Sequence, residues 1–204
     1  PGRMFGADQL PPFSFSLIDF GSDFQRGGQQ NGAPRDFYAE LAVKDDPNSD
    51  PRNVRVEVNK PLRTAGITVY LVGHGYAPEF TIRDSAGKIV WQDAAVFLPQ
   101  DSAFTSSGVV KVPDTVPQLG LQGFFLPTVS EDFSNGPVSK FPAADNPEVY
   151  ISAWVGDLGL DSGMPQSVYR LDTENMTRIG IEELAPGETW TLPNSGVTVE
   201  FNGY

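Results

Sequence analysis

The only histidine of the chain, His74, stands at the centre of "YLVGHGYAP", Tyr70 to Pro78. A neutral imidazole can act as a general base or ligate a metal or a heme iron, so any such chemistry would start here. His74 has no partner histidine, no cysteine and no E-x-x-H spacing, so a zinc site would need further ligands that the sequence does not announce. The bland reading rests on its neighbours. Gly73 and Gly75 permit backbone torsions closed to other residues, and Pro78 fixes the start of the next strand. His74 then reads as the polar residue of a strand-to-strand corner, either structural or at the surface.

Other chemistry is weaker still. "GLDSG", Gly159 to Gly163, has its serine one position away from a G-x-S-x-G elbow, and a hydrolase triad would have to recruit His74. Carboxylates are abundant, but no spacing singles out a glycosidase pair. "GDLGLDSG" brackets Asp157 and Asp161 with glycines, a feature shared with calcium loops. It lacks the D-x-[DN]-x-[DN]-G order and the closing glutamate, so acidic caps on a tight turn explain it better.

The elements that must position these residues are strands. Period-two alternation runs through "FYAELAV" (Phe37 to Val43), "NVRVEV" (Val54, Val56, Val58), "EFTIRD" (Glu79 to Asp84) and the closing Val197, Val199 and Phe201. "ITVYLV", Ile67 to Val72, is apolar on both faces and is expected to be a central strand. "GVVKV", "VYISAWV", "SVYRL" and "ETWTL" are further strand candidates, and only Thr173 to Leu184 offers a helical case. Asp84 to Lys88 has the composition of a hairpin loop with Gly87 at its left-handed position. "KDDPNSDPRN" reads as a long hairpin tip and "FQRGGQQNGAPRD" as a polar, mobile loop. The expected fold is all-β, a sandwich or partly open barrel of mostly antiparallel strands, as one domain over residues 1–204.

Composition agrees. The chain has 204 residues, 39% of them hydrophobic, with 21 Gly and 18 Pro. A formal charge of −12 disfavours phosphate backbones and anionic headgroups, so nucleic acid is excluded as a partner. Cysteine is absent, which removes disulfides, thiolate metal sites and thiol catalysis. No apolar run approaches the roughly 20 residues needed to cross a bilayer, and "PGRMFGADQL" has no signal-peptide core. A chain that starts on proline and stops just after a strand is expected to be an excised fragment.

Longer stretches carry a family resemblance. "VNKPLRTAGITVYLVGHGYAPEFTIRDSAGKIV", "FLPQDSAFTSSGVVKVPD", "LGLQGFFLPT" and "NPEVYISAWVGDLGLDSGMPQSVYRLD" together resemble ResB, the membrane subunit of System II cytochrome c biogenesis. The most specific element is N-x-P-L-x-x-x-G-x-x-V-Y, formed by Asn59, Pro61, Leu62, Gly66, Val69 and Tyr70, and similarity runs from about Leu10 to Phe201. The resemblance implies the large extracytoplasmic domain of a cell membrane protein, flanked by transmembrane helices. It implies heme delivery across the membrane for attachment to apocytochrome c. The implied partners are a ResC (CcsA-type) membrane protein, apocytochrome c and a thioredoxin-like thiol reductant. Heme is then handled by the full complex, whose ligating histidines lie in or beside membrane segments and in the partner. No catalytic residue carries over onto this chain, no cofactor or metal is expected on it, and His74 stays with the structural reading.

Two further expectations concern particular residues. Asn59, Pro61, Gly73, His74 and Gly75 form a structural motif, in which the Asn59 amide is expected to bond backbone groups as Pro61 turns the chain. In "VPQLGLQGFFLPT", Leu119, Leu121, Phe124, Phe125 and Leu126 are too many on both parities for a one-sided strand. Some must be buried on a second face or exposed as a docking surface for the ResC-type partner or the membrane interface. The alternative function is a β-sandwich module recognising carbohydrate or peptide through aromatics such as Tyr150 and Trp154.

Overall fold

Alternation of apolar and polar residues builds the first elements, an antiparallel meander of β1 (Ser14–Phe24), β2 (Pro34–Lys44) and β3 (Arg52–Glu57). The structure, a computed structural model, describes residues 11–130, 134 and 136–204; Leu10, where the resemblance begins, lies outside the described residues. Strand accounts for 51% and helix for 2%, in several antiparallel sheets with no closed barrel, so the fold is all-β and sandwich-like. Contacts within the chain group it into two compact units, residues 1–74 and 75–204.

In the first unit, Ala39, Leu41, Val43, Val56 and Leu62 form a small core, with Phe20, Val54, Val69 and Leu71 packed against it. Paired residues share a sheet face, so Leu41↔Val54 and Ala39↔Val56 put four apolar side chains on one side. A short hairpin of β4 (Leu62–Thr64) and β5 (Ile67–Val69) supplies Leu62 and Val69 to that core. Ile67 to Val72 is therefore not a central strand. Ala65 (φ 47) and Gly66 (φ 76) make a two-residue hairpin turn of left-handed residues, and the strand after it lasts three residues. Tyr70 and Val72 beyond it are exposed.

The expected tip between β2 and β3 is present and tied down. Arg52 grips Asp45 through two bonds of 2.9 and 3.0 Å, and the Thr64 hydroxyl donates to the same carboxylate. The Arg52 hydrogen bond, then Thr64, pulls the Asp45 carboxyl down to about 2. The next turn is closed by backbone bonds between Glu57 and Lys60 at 3.2 and 3.0 Å. Asn59 is exposed at this turn, and no hydrogen bond of its amide is found among the described residues, so backbone geometry makes the corner.

The second unit packs two sheets. One has the order β12 (Met176–Leu184), β11 (Glu148–Gly156), β10 (Leu119–Leu126), β9 (Ser106–Val112), β8 (Leu98–Pro99). The other has the order β13 (Thr189–Thr191), β14 (Thr198–Gly203), β6 (Glu79–Arg83), β7 (Ile89–Ala94). Phe80, Ile82, Val199 and Phe201 from the smaller sheet meet Leu119, Leu121, Phe125, Val149 and Ile151 from the larger in one continuous core. Burying each such side chain contributes about 1.5–3 kcal/mol. The β6–β7 hairpin closes as expected, with Gly87 at φ 81 and the Asp84 carboxylate accepting the Ala86 and Lys88 N–H groups, both at 2.9 Å.

Two expectations fail here for the same reason, that pairing partners decide the state of an ambiguous segment. Residues 176–184 form a strand because β11 offers a ladder along their whole length, with one irregularity at Ala153/Trp154. "SVYRL", by contrast, finds no partner strand and stays an irregular loop over the outer face of the larger sheet. Lys111 Nζ holds that loop by donating to the Ser167 carbonyl at 2.9 Å.

Candidate functional site

His74 ends the first unit among three phenylalanine rings. Their centroids lie 5.1 Å (Phe20), 5.8 Å (Phe24) and 5.3 Å (Phe37) from the imidazole. β1 supplies the first two and β2 the third, which the β1–β2 register brings together. Burial lowers the His74 pKa below its ordinary value, so the ring is neutral at pH 7. Three aromatic rings thus flank it. Gly73 and Gly75 do not have positive φ, and a Cβ would meet nothing within 4 Å at Gly73 and only ordinary contacts at Gly75. The corner therefore does not depend on glycine torsions, contrary to the expectation drawn from their presence.

Tyr76, just beyond, holds its proton firmly. Its hydroxyl donates to the Pro142 carbonyl at 2.7 Å, and burial, helped by Tyr204, pushes the phenol up to about 12. The serine of "GLDSG" is used locally: Ser162 Oγ donates to the Gly159 carbonyl at 2.8 Å. Asp157 accepts the Gly159 N–H at 2.8 Å, the capping use of a loop acid. No group of three or more metal-ligating side chains is found among the described residues.

The five apolar residues of β10 divide. Leu119, Leu121, Phe125 and Leu126 are each 1% exposed or less, so they cannot form a docking surface; Phe124 alone is half-buried. Phe125 points into the inter-sheet core, where its ring meets Tyr76 at 4.9 Å and Phe201 at 6.4 Å. The outer face of β10 is covered from within the chain. Leu171 sits over Gly120, where an added Cβ would come within 2.7 Å of it, and Phe124 shares a recess with Tyr169 and Leu171. On β11, Trp154 donates to Ser152 Oγ at 3.0 Å and lies under Arg178 at 5.9 Å, while Tyr150 is half-buried.

Sequence reasoning missed one pair of neighbouring carboxyl groups. Tyr150 pairs with Glu183 across β11 and β12, which puts Glu148, two residues along β11, on the same face as Glu183. Glu148 Oε2 is shut off from water with no N–H or hydroxyl donor among the described residues, and the Glu183 carboxyl lies against it. Two carboxylates can bond only by sharing a proton. Desolvation first, then Glu183, pushes Glu148 up to about 7. No local spacing marks residues so far apart in sequence. Because the folded pKa of Glu148 lies above its unfolded value, this group contributes stability at acidic pH that is lost as pH rises from about 4.5 to about 7. Glu148→Gln should therefore raise thermal stability above pH 7 and flatten the difference below pH 4.5. Partial solvent access holds the gain to about 1 kcal/mol. Melting curves of both proteins across that range check it, and a constant offset at every pH would refute the shared proton.

Comparison with known proteins gives one family. The model of the ResB-like family matches residues 1–201. No curated protein and no solved structure matches the chain.

Proposed function

The chain belongs to the ResB-like family, and from that premise we propose that it is the extracytoplasmic scaffold of a protein that delivers heme for attachment to apocytochrome c. Family membership supports a role in cytochrome c biogenesis, and the family is generally membrane-associated. No helix among the described residues is long and apolar enough to cross a membrane. In this reading the chain is not itself catalytic. It works beside a ResC (CcsA-type) membrane protein that handles heme, an apocytochrome c that receives it, and a thioredoxin-like reductant that keeps the acceptor thiols reduced.

The observation that carries the reading is the match over residues 1–201. Two features of the residues support the non-catalytic part. A chain without cysteine cannot perform the thiol step, and its one imidazole is packed among phenylalanine rings. Heme ligation is therefore assigned to other parts of the complex. The test uses the full-length protein in cells that make c-type cytochromes, with co-purification of the heme-handling partner and heme-stained cytochrome c as readouts. Loss of both on replacing this chain by an unrelated β-sandwich supports a scaffold role, and retention of both overturns it.

A further inference from the structure

At one end of the second unit the two sheets part. The β9–β10 connection, residues 113–118, projects there between two adjoining clefts. Its tip residue, Val116, is 101% exposed. The connection is held in place from below: Thr115 Oγ1 donates to the Val112 carbonyl at 3.2 Å, and Gln118 accepts the Gly156 and Leu158 N–H groups at 3.0 and 2.9 Å. An apolar side chain is thus presented to solvent by a braced turn.

One cleft, of about 550 Å³, opens between the sheets. Its floor is the core pair Leu119 and Leu192, and its walls are the half-buried Val155, Ile179 and Val197. Asp84 and Asp114 stand at its rim. The second, of about 720 Å³, lies on the other side of Val116 and Pro117 and carries Asp157 and Asp161. Neither cleft is lined by a lysine, arginine or histidine among the described residues. Asp114, Asp157 and Asp161 are exposed and keep oxygens open to a partner.

We propose that these clefts dock an extended, basic segment of a partner polypeptide, with an apolar side chain over Val116 and lysine or arginine side chains in the clefts. Charge complementarity selects this occupant. With a net charge of −12 and carboxylates on both sides of the tip, the surface repels nucleic acid, anionic lipid and acidic proteins. A lysine suits the mixed lining, because its methylene stem lies along Val155 and Ile179 while its ammonium reaches the carboxylates. The stem also explains why the clefts combine apolar walls with acidic rims. The docking surface stands apart from the role proposed above, since its residues are defined by geometry within the second unit alone.

The experiment titrates the 204-residue chain with a short peptide in which lysines flank a leucine, followed by amide NMR shifts. A counterpart with glutamate for lysine and a vesicle of anionic phospholipid are run in parallel. Saturable shifts are expected at residues 114–118 and 192–197 with the lysine peptide only. Asp114→Asn combined with Asp161→Asn, and separately Val116→Ser, should each weaken binding about fivefold or more. Asp46→Asn, an exposed acid of the first unit, should leave it unchanged. All these positions except Asp46 line the clefts and are exposed, so the variants keep the core intact. Absence of saturable shifts, equal loss with Asp46→Asn, or preference for the glutamate peptide or the vesicle would overturn the proposal. Failure of this binding would leave the heme-delivery role untouched, because that role is read from cytochrome c formation.

Discussion

Gly123→Ala is expected to destabilise the second unit by about 2–4 kcal/mol, a large effect for the addition of one methyl group. A Cβ at this position would lie 2.0 Å from the Tyr150 carbonyl oxygen and 2.7 Å from the Ile151 Cα. Both are backbone atoms of β11, which pairs with β10 over its whole length, so neither can move without breaking the ladder at the middle of the larger sheet. Gly108 is a contrasting case. There the added Cβ would meet the Phe97 ring, a side chain rather than the backbone of a paired strand, at 2.1 Å. Denaturant unfolding checks the expectation: a Gly123→Ala midpoint equal to that of the parent chain would contradict the close approach of the two backbones.

Phe125→Ala should cost about 3–5 kcal/mol, because it removes a ring that is 0% exposed and leaves a cavity between the sheets. The ring touches both sheets, through Phe201 on β14 at 6.4 Å, and it meets Tyr204 at 5.5 Å, so its loss is felt on each side of the core. Phe124→Ala, one residue away on the outer face, should cost about 1 kcal/mol, since that side chain is half-buried under a loop. Thermal melts of the pair give the comparison directly. Equal losses at the two positions would mean that β10 does not divide its faces in this way.

The reading of β10 also shows how far the sequence reaches. Apolar residues on both parities left two outcomes open, a second buried face or an exposed patch, and burial is found, on the central strand of the larger sheet. What covers the outer face was not legible, because Tyr169 and Leu171 come from a loop with no period of its own. Regular alternation in β2, β3, β6 and β14 was read correctly except at Val58, which falls beyond the end of β3 and is exposed, and the Asp84–Lys88 turn was read correctly too, because residue type and backbone geometry are locally linked there. Ile67 to Val72 was misread because apolar content alone cannot tell a central strand from a hairpin arm followed by exposed chain. The Ala65–Gly66 turn, which shortens it, was hidden by an alanine at a left-handed position. Glycines flanking His74 suggested special torsions that the backbone does not use. The phenylalanine ring around His74 and the Glu148–Glu183 pair depend on strand register, which no local motif records.

The central claim is that this chain scaffolds heme delivery without ligating heme or catalysing its attachment. Heme-stained cytochrome c, measured in cells whose only ResB-like protein carries His74→Ala, tests it most directly. The variant protein should accumulate to the parent level, co-purify with its ResC-type partner and support the same amount of holocytochrome c. Normal accumulation and partner binding with cytochrome c lost would contradict the claim and make His74 a functional ligand or base.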